Sequence, residues 1–236
     1  RAVNLIGHEN IVAIHDFNRL PPNRYYLMME YLEGRPLSAL VGQTVAPETL
    51  VAILGQVCDA LGAAHDAGIV HRDLKPENVF LVRRAGREDY VKVVDFGIAK
   101  LVSSSVSLTG AGFVMGTPEY MAPEQWSGHA IDGRADIYAA GLLAYALATG
   151  RLPFREADAL GYYTAHLQKA PTPPRQLNPA LPFGVEQAIL RALAKRPEER
   201  FADARDFRAA LEAGLRSPAS PTRGPATPTR GPATPV

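Results

Sequence analysis

The sequence predicts an α+β protein whose short strands come early, whose remainder is mostly helical, and which ends in a disordered tail. Short β-branched and aromatic runs bounded by turn residues lie before residue 95. Apolar residues recur every three or four positions over 47–67 and in four segments after 137, the period of helices that bury one stripe. Beyond residue 216 large apolar side chains vanish and proline repeats, a composition that builds no core.

Taken in order, Ala2, Val3, Leu5 and Ile6 follow Arg1 with helical spacing, and we read the chain as a fragment that starts inside a helix. Two strands are expected at 11–17 and 25–31, separated by Leu20-Pro21-Pro22-Asn23-Arg24. Leu50, Ile53, Leu54, Val57, Leu61 and Ala64 mark a helix over 47–67, which Gly68 ends. Strands at 79–82 and 91–94 flank a polar turn at 83–89, and the Ser/Gly-rich stretch 103–115 is expected to be a mobile loop. Helices follow at 137–147, 157–168, 185–194 and 204–213. The heptapeptide Pro221-Thr222-Arg223-Gly224-Pro225-Ala226-Thr227 recurs from Pro228, which reads as a tether; recruitment of a partner is the alternative.

Composition excludes several classes. The chain has 236 residues, 47% apolar and 21% charged, enough for one sizeable core. A formal net charge of +1 provides no basic footprint for nucleic acid. Cys58 is the only cysteine, so no intramolecular disulfide or cysteine metal cluster forms, in keeping with a reducing compartment. The longest apolar stretch, 135–148, contains Asp136 and is shorter than the about 20 residues of a bilayer span, so it reads as a buried helix.

The chemistry is concentrated in His71-Arg72-Asp73-Leu74-Lys75-Pro76-Glu77-Asn78 and in Asp95-Phe96-Gly97. An acid, a cation, an amide and a second acid stand there at the spacing of a phosphoryl-transfer site. A hairpin between the two motifs would bring Asp73, Asn78 and Asp95 into one cleft. Hydride transfer, acyl transfer and hydrolysis fit worse: no Gly-x-Gly-x-x-Gly follows a strand, there is no Gly-x-Ser-x-Gly, and the six histidines lack metal-ligand spacing.

With Gly116-Thr117-Pro118-Glu119-Tyr120, Ala122-Pro123-Glu124, and Asp136 ahead of Ala139-Ala140-Gly141, five motifs stand in one order. From about residue 5 to 211 the chain resembles the eukaryotic-like serine/threonine protein kinases of bacteria. The resemblance implies a protein-kinase-like fold: residues 1–34 as a remnant of the N-lobe with the end of helix C, strands 4 and 5 and the hinge; 35–215 as the C-lobe; 216–236 as a Pro/Thr-rich linker. It also implies ATP and Mg²⁺, with Mn²⁺ as a substitute.

Under this reading Asp73 orients the attacking hydroxyl and Lys75 neutralises the transferring phosphoryl group. Asn78 and Asp95 offer oxygen to magnesium, and Thr117 contacts Asp73 and Lys75. Met29 is the gatekeeper, Glu30, Tyr31 and Leu32 form the hinge on the adenine edge, and Phe80, bulkier than the usual aliphatic residue, packs below the ring. Thr109 matches an autophosphorylation site, with Arg72 as the partner of its phosphate; a second such threonine is replaced by Ala111. His71 packs beneath Phe96, Glu124 pairs with Arg200, and Asp136 holds the catalytic loop. Arg196 stands where the family more often has an acid, and Glu9 where it has proline.

The implied partners are proteins carrying Ser or Thr and a second copy of the kinase for trans-autophosphorylation, with neither nucleic acid nor membrane contact from this segment. The implied location is cytoplasmic, with membrane anchoring of a longer protein left open. The family's glycine-rich loop and strand lysine do not occur in this sequence, and its helix glutamate would fall just before Arg1, so this polypeptide alone is expected to be inactive. A pseudokinase or binding module is the competing reading, against which Asp73 and Lys75 stand together. A small-molecule kinase of the aminoglycoside phosphotransferase kind is a third, disfavoured by the complete Ala122-Pro123-Glu124 segment.

Overall fold

The computed structural model describes residues 6–21, 24–84, 86–96, 117–126 and 131–217. Strands β1 (Ile14–Leu20) and β2 (Arg24–Met29) form an antiparallel hairpin whose register runs from Leu20 opposite Arg24 to Ile14 opposite Met29. The first strand starts later than its β-branched run suggests, because the beginning of that run serves another sheet. Ile11 bridges Val93 in parallel, Val12 N donates to Val93 O at 3.0 Å, and Val93 N donates to Asn10 O at 2.8 Å. Alternation marks a segment as extended; it does not reveal which edge the segment joins.

The second sheet has the order β3 (Gly34–Pro36), β4 (Val79–Arg84), β5 (Arg87–Val93), all antiparallel. The three-residue β3 has no alternation to betray it. Its Gly34 is dictated by proximity: a Cβ there would lie 2.2 Å from Leu81 O. The β4–β5 turn is shorter than the polar run 83–89 suggests. Arg84 already faces Arg87, and Gly86, at φ +82°, turns the chain. Arg83, Arg84 and Glu88 are exposed strand residues, so their polarity reports solvent and not a loop.

Helix α1 (Pro47–Asp66) opens on a proline at its first position and buries Leu50, Ile53, Leu54, Val57 and Leu61 completely. The chain leaves it through Gly68, at φ +72°. A short α2 (Pro123–Trp126) precedes α3 (Arg134–Thr149), in which every residue from Ala135 to Ala148 is buried. Helix α3 is therefore the centre of the helical part, and its uniform apolarity reflects contact on all sides. Among the described residues no helix is long and apolar enough to cross a membrane.

Around it stand α4 (Ala159–Gln168), α5 (Pro174–Leu177), α6 (Phe183–Ala192) and α7 (Ala204–Arg216). Asp158 caps α4 by accepting from Gly161 N at 2.8 Å, and Asp203 caps α7 by accepting from Asp206 N at 2.9 Å. Helices α6 and α7 touch at Gly184 and Gly214, where a Cβ on Gly214 would lie 2.4 Å from the Gly184 carbonyl carbon. Helix α7 ends three residues later than its apolar pattern suggests, past the expected C-lobe limit at 215. The rest of the expected linker, 218–236, and the expected loop at 103–115 lie outside the described residues.

Candidate active site

The site is organised from the first turn of α3. Asp136, only 1% exposed, accepts from His71 N at 2.8 Å and from Arg72 N at 2.9 Å, and its Oδ2 lies 2.8 Å from His65 Nε2. These contacts hold Arg72 at φ +68°, a left-handed conformation that a residue with a Cβ resists by about 1–2 kcal/mol. Gln125 adds a second clamp: its Nε2 donates to Arg72 O at 2.8 Å and its Oε1 accepts from Ala122 N at 2.9 Å. A buried carboxylate and an amide thus over-determine the loop backbone, so that Leu74 anchors in the core while the side chains of Arg72, Asp73 and Lys75 reach towards solvent.

Asp73, Lys75 and Thr117 meet in a triangle. Lys75 Nζ lies 2.9 Å from Asp73 Oδ2 and donates to Thr117 Oγ1 at 2.9 Å. Thr117 N donates to Asp73 Oδ1 at 3.2 Å, and its hydroxyl lies 3.3 Å from the same oxygen. The carboxylate is therefore fixed by three groups yet partly open to solvent, an arrangement that lets a carboxylate accept a proton from an incoming group.

Asn78, 6% exposed, donates through Nδ2 to Asp73 O at 2.8 Å, which leaves Oδ1 as its atom for a ligand. Its backbone carbonyl accepts from Val94 N at 2.9 Å, joining the loop to the residue before Asp95. Asp95 is exposed and sits at φ +64°, the second non-glycine left-handed residue of the described chain. One amide oxygen and one carboxylate suit a magnesium ion that keeps its remaining positions for water and phosphate oxygens. They are too few for a cage built from protein alone: among the described residues no three His, Cys, Asp or Glu side chains gather as a metal site.

His71 is buried, with its ring edge-on to Phe96 at 4.7 Å between centroids. Nδ1 accepts from Asp73 N at 3.3 Å, so the proton sits on Nε2 and is donated to Val94 O at 2.9 Å. Both nitrogens are engaged, which rules the imidazole out as a base and makes it a strut between the two acidic motifs.

On the hinge side, Glu30 N donates to Ala13 O at 2.9 Å while Glu30 Oε1 accepts from Ala13 N at 2.8 Å and pairs with Lys92 Nζ at 2.6 Å. Burial opposes ionisation of this carboxyl, but the bonds from Lys92 and Ala13 outweigh it and hold its pKa below the ordinary value. A cavity of about 400 Å³ lies against Glu30, Tyr31, Leu32, Val82 and Lys92. Neither Met29 nor Phe80 lines it, although Phe80 stands opposite Lys92 in the β4–β5 register. Met29 is 42% exposed and Tyr31 92%.

Farther down, Arg200 grips Glu124 with both guanidinium nitrogens, at 2.7 and 2.8 Å, and donates to the carbonyls of Ala194, Arg134 and Lys195. Its plane lies over Tyr138 at 4.8 Å. Thr109, Gly97 and Gly116 lie outside the described residues; the side chain of Arg72 is exposed.

The protein kinase domain profile matches residues 1–207. The chain belongs to the protein kinase family. The kinase is 57% identical over 215 residues to the serine/threonine-protein kinase Pkn1 of Myxococcus xanthus, covering 91% of this chain and 31% of the relative. It is 36% identical over 217 residues to the serine/threonine-protein kinase PrkC of Bacillus subtilis, covering 91% and 33%. The chain thus spans about a third of the length of these curated relatives. Its fold matches the crystal structure of the Mycobacterium tuberculosis PknI kinase domain with a TM-score of 0.69 and 28% identity, over 90% of this chain and 75% of that one. The α+β kinase fold expected from the motifs is therefore the fold of this protein.

Three residues of the kinase site escape sequence reasoning. Gln125, His65 and Lys92 each hold a piece of the site in place, but each touches a partner distant in sequence or buried in an unremarkable context. Gln125 was the most accessible, because it directly follows the Ala122-Pro123-Glu124 motif.

Proposed function

We propose that the protein carrying this domain is a serine/threonine kinase that transfers the γ-phosphate of ATP to Ser or Thr hydroxyls of other proteins. The observation that carries this reading is the Asp73–Lys75–Thr117 triangle beside Asn78 and Asp95. Asp73 Oδ1 or Oδ2 accepts the proton of the incoming hydroxyl, while Lys75 faces the phosphoryl oxygens on which negative charge is greatest. Asn78 Oδ1 and the Asp95 carboxylate would hold Mg²⁺, which would supply charge neutralisation to the phosphates; Mn²⁺ has the same preference for oxygen. Glu30, Tyr31 and Leu32 receive the adenine edge through backbone groups, and Met29 and Phe80, which lie outside the cavity of about 400 Å³, would have to approach the ring as apolar walls when ATP binds.

Regulation by phosphate on Thr109, read by Arg72 and added by a second copy of the kinase, belongs to the same reading. So does a cytoplasmic location, since ATP is the donor. The pseudokinase alternative is disfavoured because a binding role has no use for the Asp73–Lys75 contact.

The test is ATP-dependent phosphate incorporation by the intact protein into itself and into a basic protein, located by mass spectrometry. Incorporation should fall by at least about 10²-fold in Asp95→Asn, the scale of losing charge stabilisation at a transferring group. A nucleotide-binding protein that is never labelled would favour the pseudokinase.

A further inference from the structure

Below the segment that follows Thr117 lies a group the proposed chemistry does not use. His166, on α4, is completely buried, and its ring is enclosed by Phe154, Tyr162 and Tyr138 at centroid distances of 5.2, 6.2 and 5.7 Å. Its Nδ1 lies 2.9 Å from the Tyr138 hydroxyl, and its Nε2 is buried with no hydrogen-bond partner among the described residues. Helix α4 packs against the turn Pro118–Tyr120, which places the backbones of Pro118 and Glu119 beside the imidazole, beyond hydrogen-bond geometry to Nε2. Burial and the neighbouring Lys195 ammonium keep the imidazole neutral, with a pKa pushed down to about 4.

A neutral imidazole carries one proton, and its position decides what the ring does. If the Tyr138 hydroxyl donates to Nδ1, the proton is on Nε2, a donor facing two acceptors; the other tautomer would aim a lone pair at carbonyl oxygens. A buried donor without an acceptor is costly, and a small approach of the Pro118–Glu119 backbone would relieve that cost. That backbone is continuous with Thr117, which contacts Asp73 and Lys75. Tyr138 in turn sits two residues after Asp136, which holds the other side of the catalytic loop. Helix α3 therefore reaches the site by two routes, one through Asp136 and one through Tyr138 and His166.

We propose that His166 is a positioning residue: its Nε2–H, presented by Tyr138, draws in the Pro118–Glu119 carbonyls and fixes the segment that continues from Thr117, beside which a peptide must lie for its hydroxyl to reach Asp73. The proposal rests on the kinase reading and names a residue that tunes protein-substrate binding without touching ATP.

The experiment uses the intact protein. Imidazole ¹⁵N shifts, with the His166 signals assigned by their loss in His166→Gln, should report a proton on Nε2 between pH 8 and pH 5.5. A proton on Nδ1 overturns the proposal, and this reading needs no variant that turns over. In peptide kinetics His166→Leu should raise KM for a Ser/Thr peptide about tenfold, the equivalent of one hydrogen bond. KM for ATP and kcat at saturating peptide should stay within about twofold, and His166→Gln, whose amide can donate from near the Nε2 position, should recover most of the loss. A fall in kcat alone, an equal rise in KM for ATP, or a glutamine variant no better than leucine would each overturn it. Absence of any phosphate transfer by the unsubstituted protein would instead remove the kinase reading, with the tautomer still deciding the role of the ring.

Discussion

At the scale of single residues, the site is a set of polar atoms held by named partners, several of them shared. Thr117 is the clearest case, because its hydroxyl accepts from Lys75 while its backbone N–H donates to Asp73. Removing the hydroxyl in Thr117→Ala leaves Lys75 tied only to Asp73. We expect kcat to fall about tenfold, the worth of one charge-assisted hydrogen bond at the reacting groups, with KM for ATP unchanged. Thr117→Ser should restore the rate, and steady-state kinetics of the intact protein separate the two. Asp73, Lys75, Asn78 and Asp95 were legible in the sequence because their spacing within two motifs is itself the signal. His166 and Lys92 were not: one reads as a histidine on a helix and the other as a lysine in a strand, and only their surroundings distinguish them.

At the scale of elements, the Glu124–Arg200 pair binds α2 to the segment before α7, and Arg200 also satisfies three carbonyls. Both side chains are buried. In Arg200→Ala the Glu124 carboxylate and those carbonyls lose their cation together, so unfolding free energy should drop by about 3–5 kcal/mol. Urea denaturation checks this, and a drop below about 1 kcal/mol would mean that solvent replaces the guanidinium. Long helices were readable because one periodic stripe suffices to announce them, and the caps at Asp158 and Asp203 set where they start. The strands were readable as extended but not in their pairing: Ile11 and Val12 belong with β5, and β3 has too few residues to show a pattern.

At the scale of the whole molecule, the neutral burial of His166 links stability to pH. Its pKa is about 4 when folded against an ordinary 6.5. Between these values the unfolded chain binds the extra proton, so the contribution is fully present above pH 6.5 and is lost as pH falls towards 4. The loss amounts to about 3 kcal/mol at most. Urea midpoints of the protein and of His166→Gln, measured from pH 7.5 down to 4, should converge as pH falls. Parallel curves would mean that the ring is protonated while folded.

The sequence by itself determined the long helices, the extended runs before residue 95, the buried character of residues 135–148, and the motif residues to which we assign phosphate chemistry. Each of these depends on local period or on motif spacing, which a chain displays without folding. Only the tertiary structure decided that Asp136 and Gln125 hold Arg72 in a left-handed conformation, that Glu30 is tied to Lys92, and that the His166 Nε2 is buried without a partner among the described residues. These contacts join residues from 53 to 64 positions apart, or depend on a hydrogen bond that is absent. Burial, which makes each of them matter, is a property of the packed molecule and not of any segment.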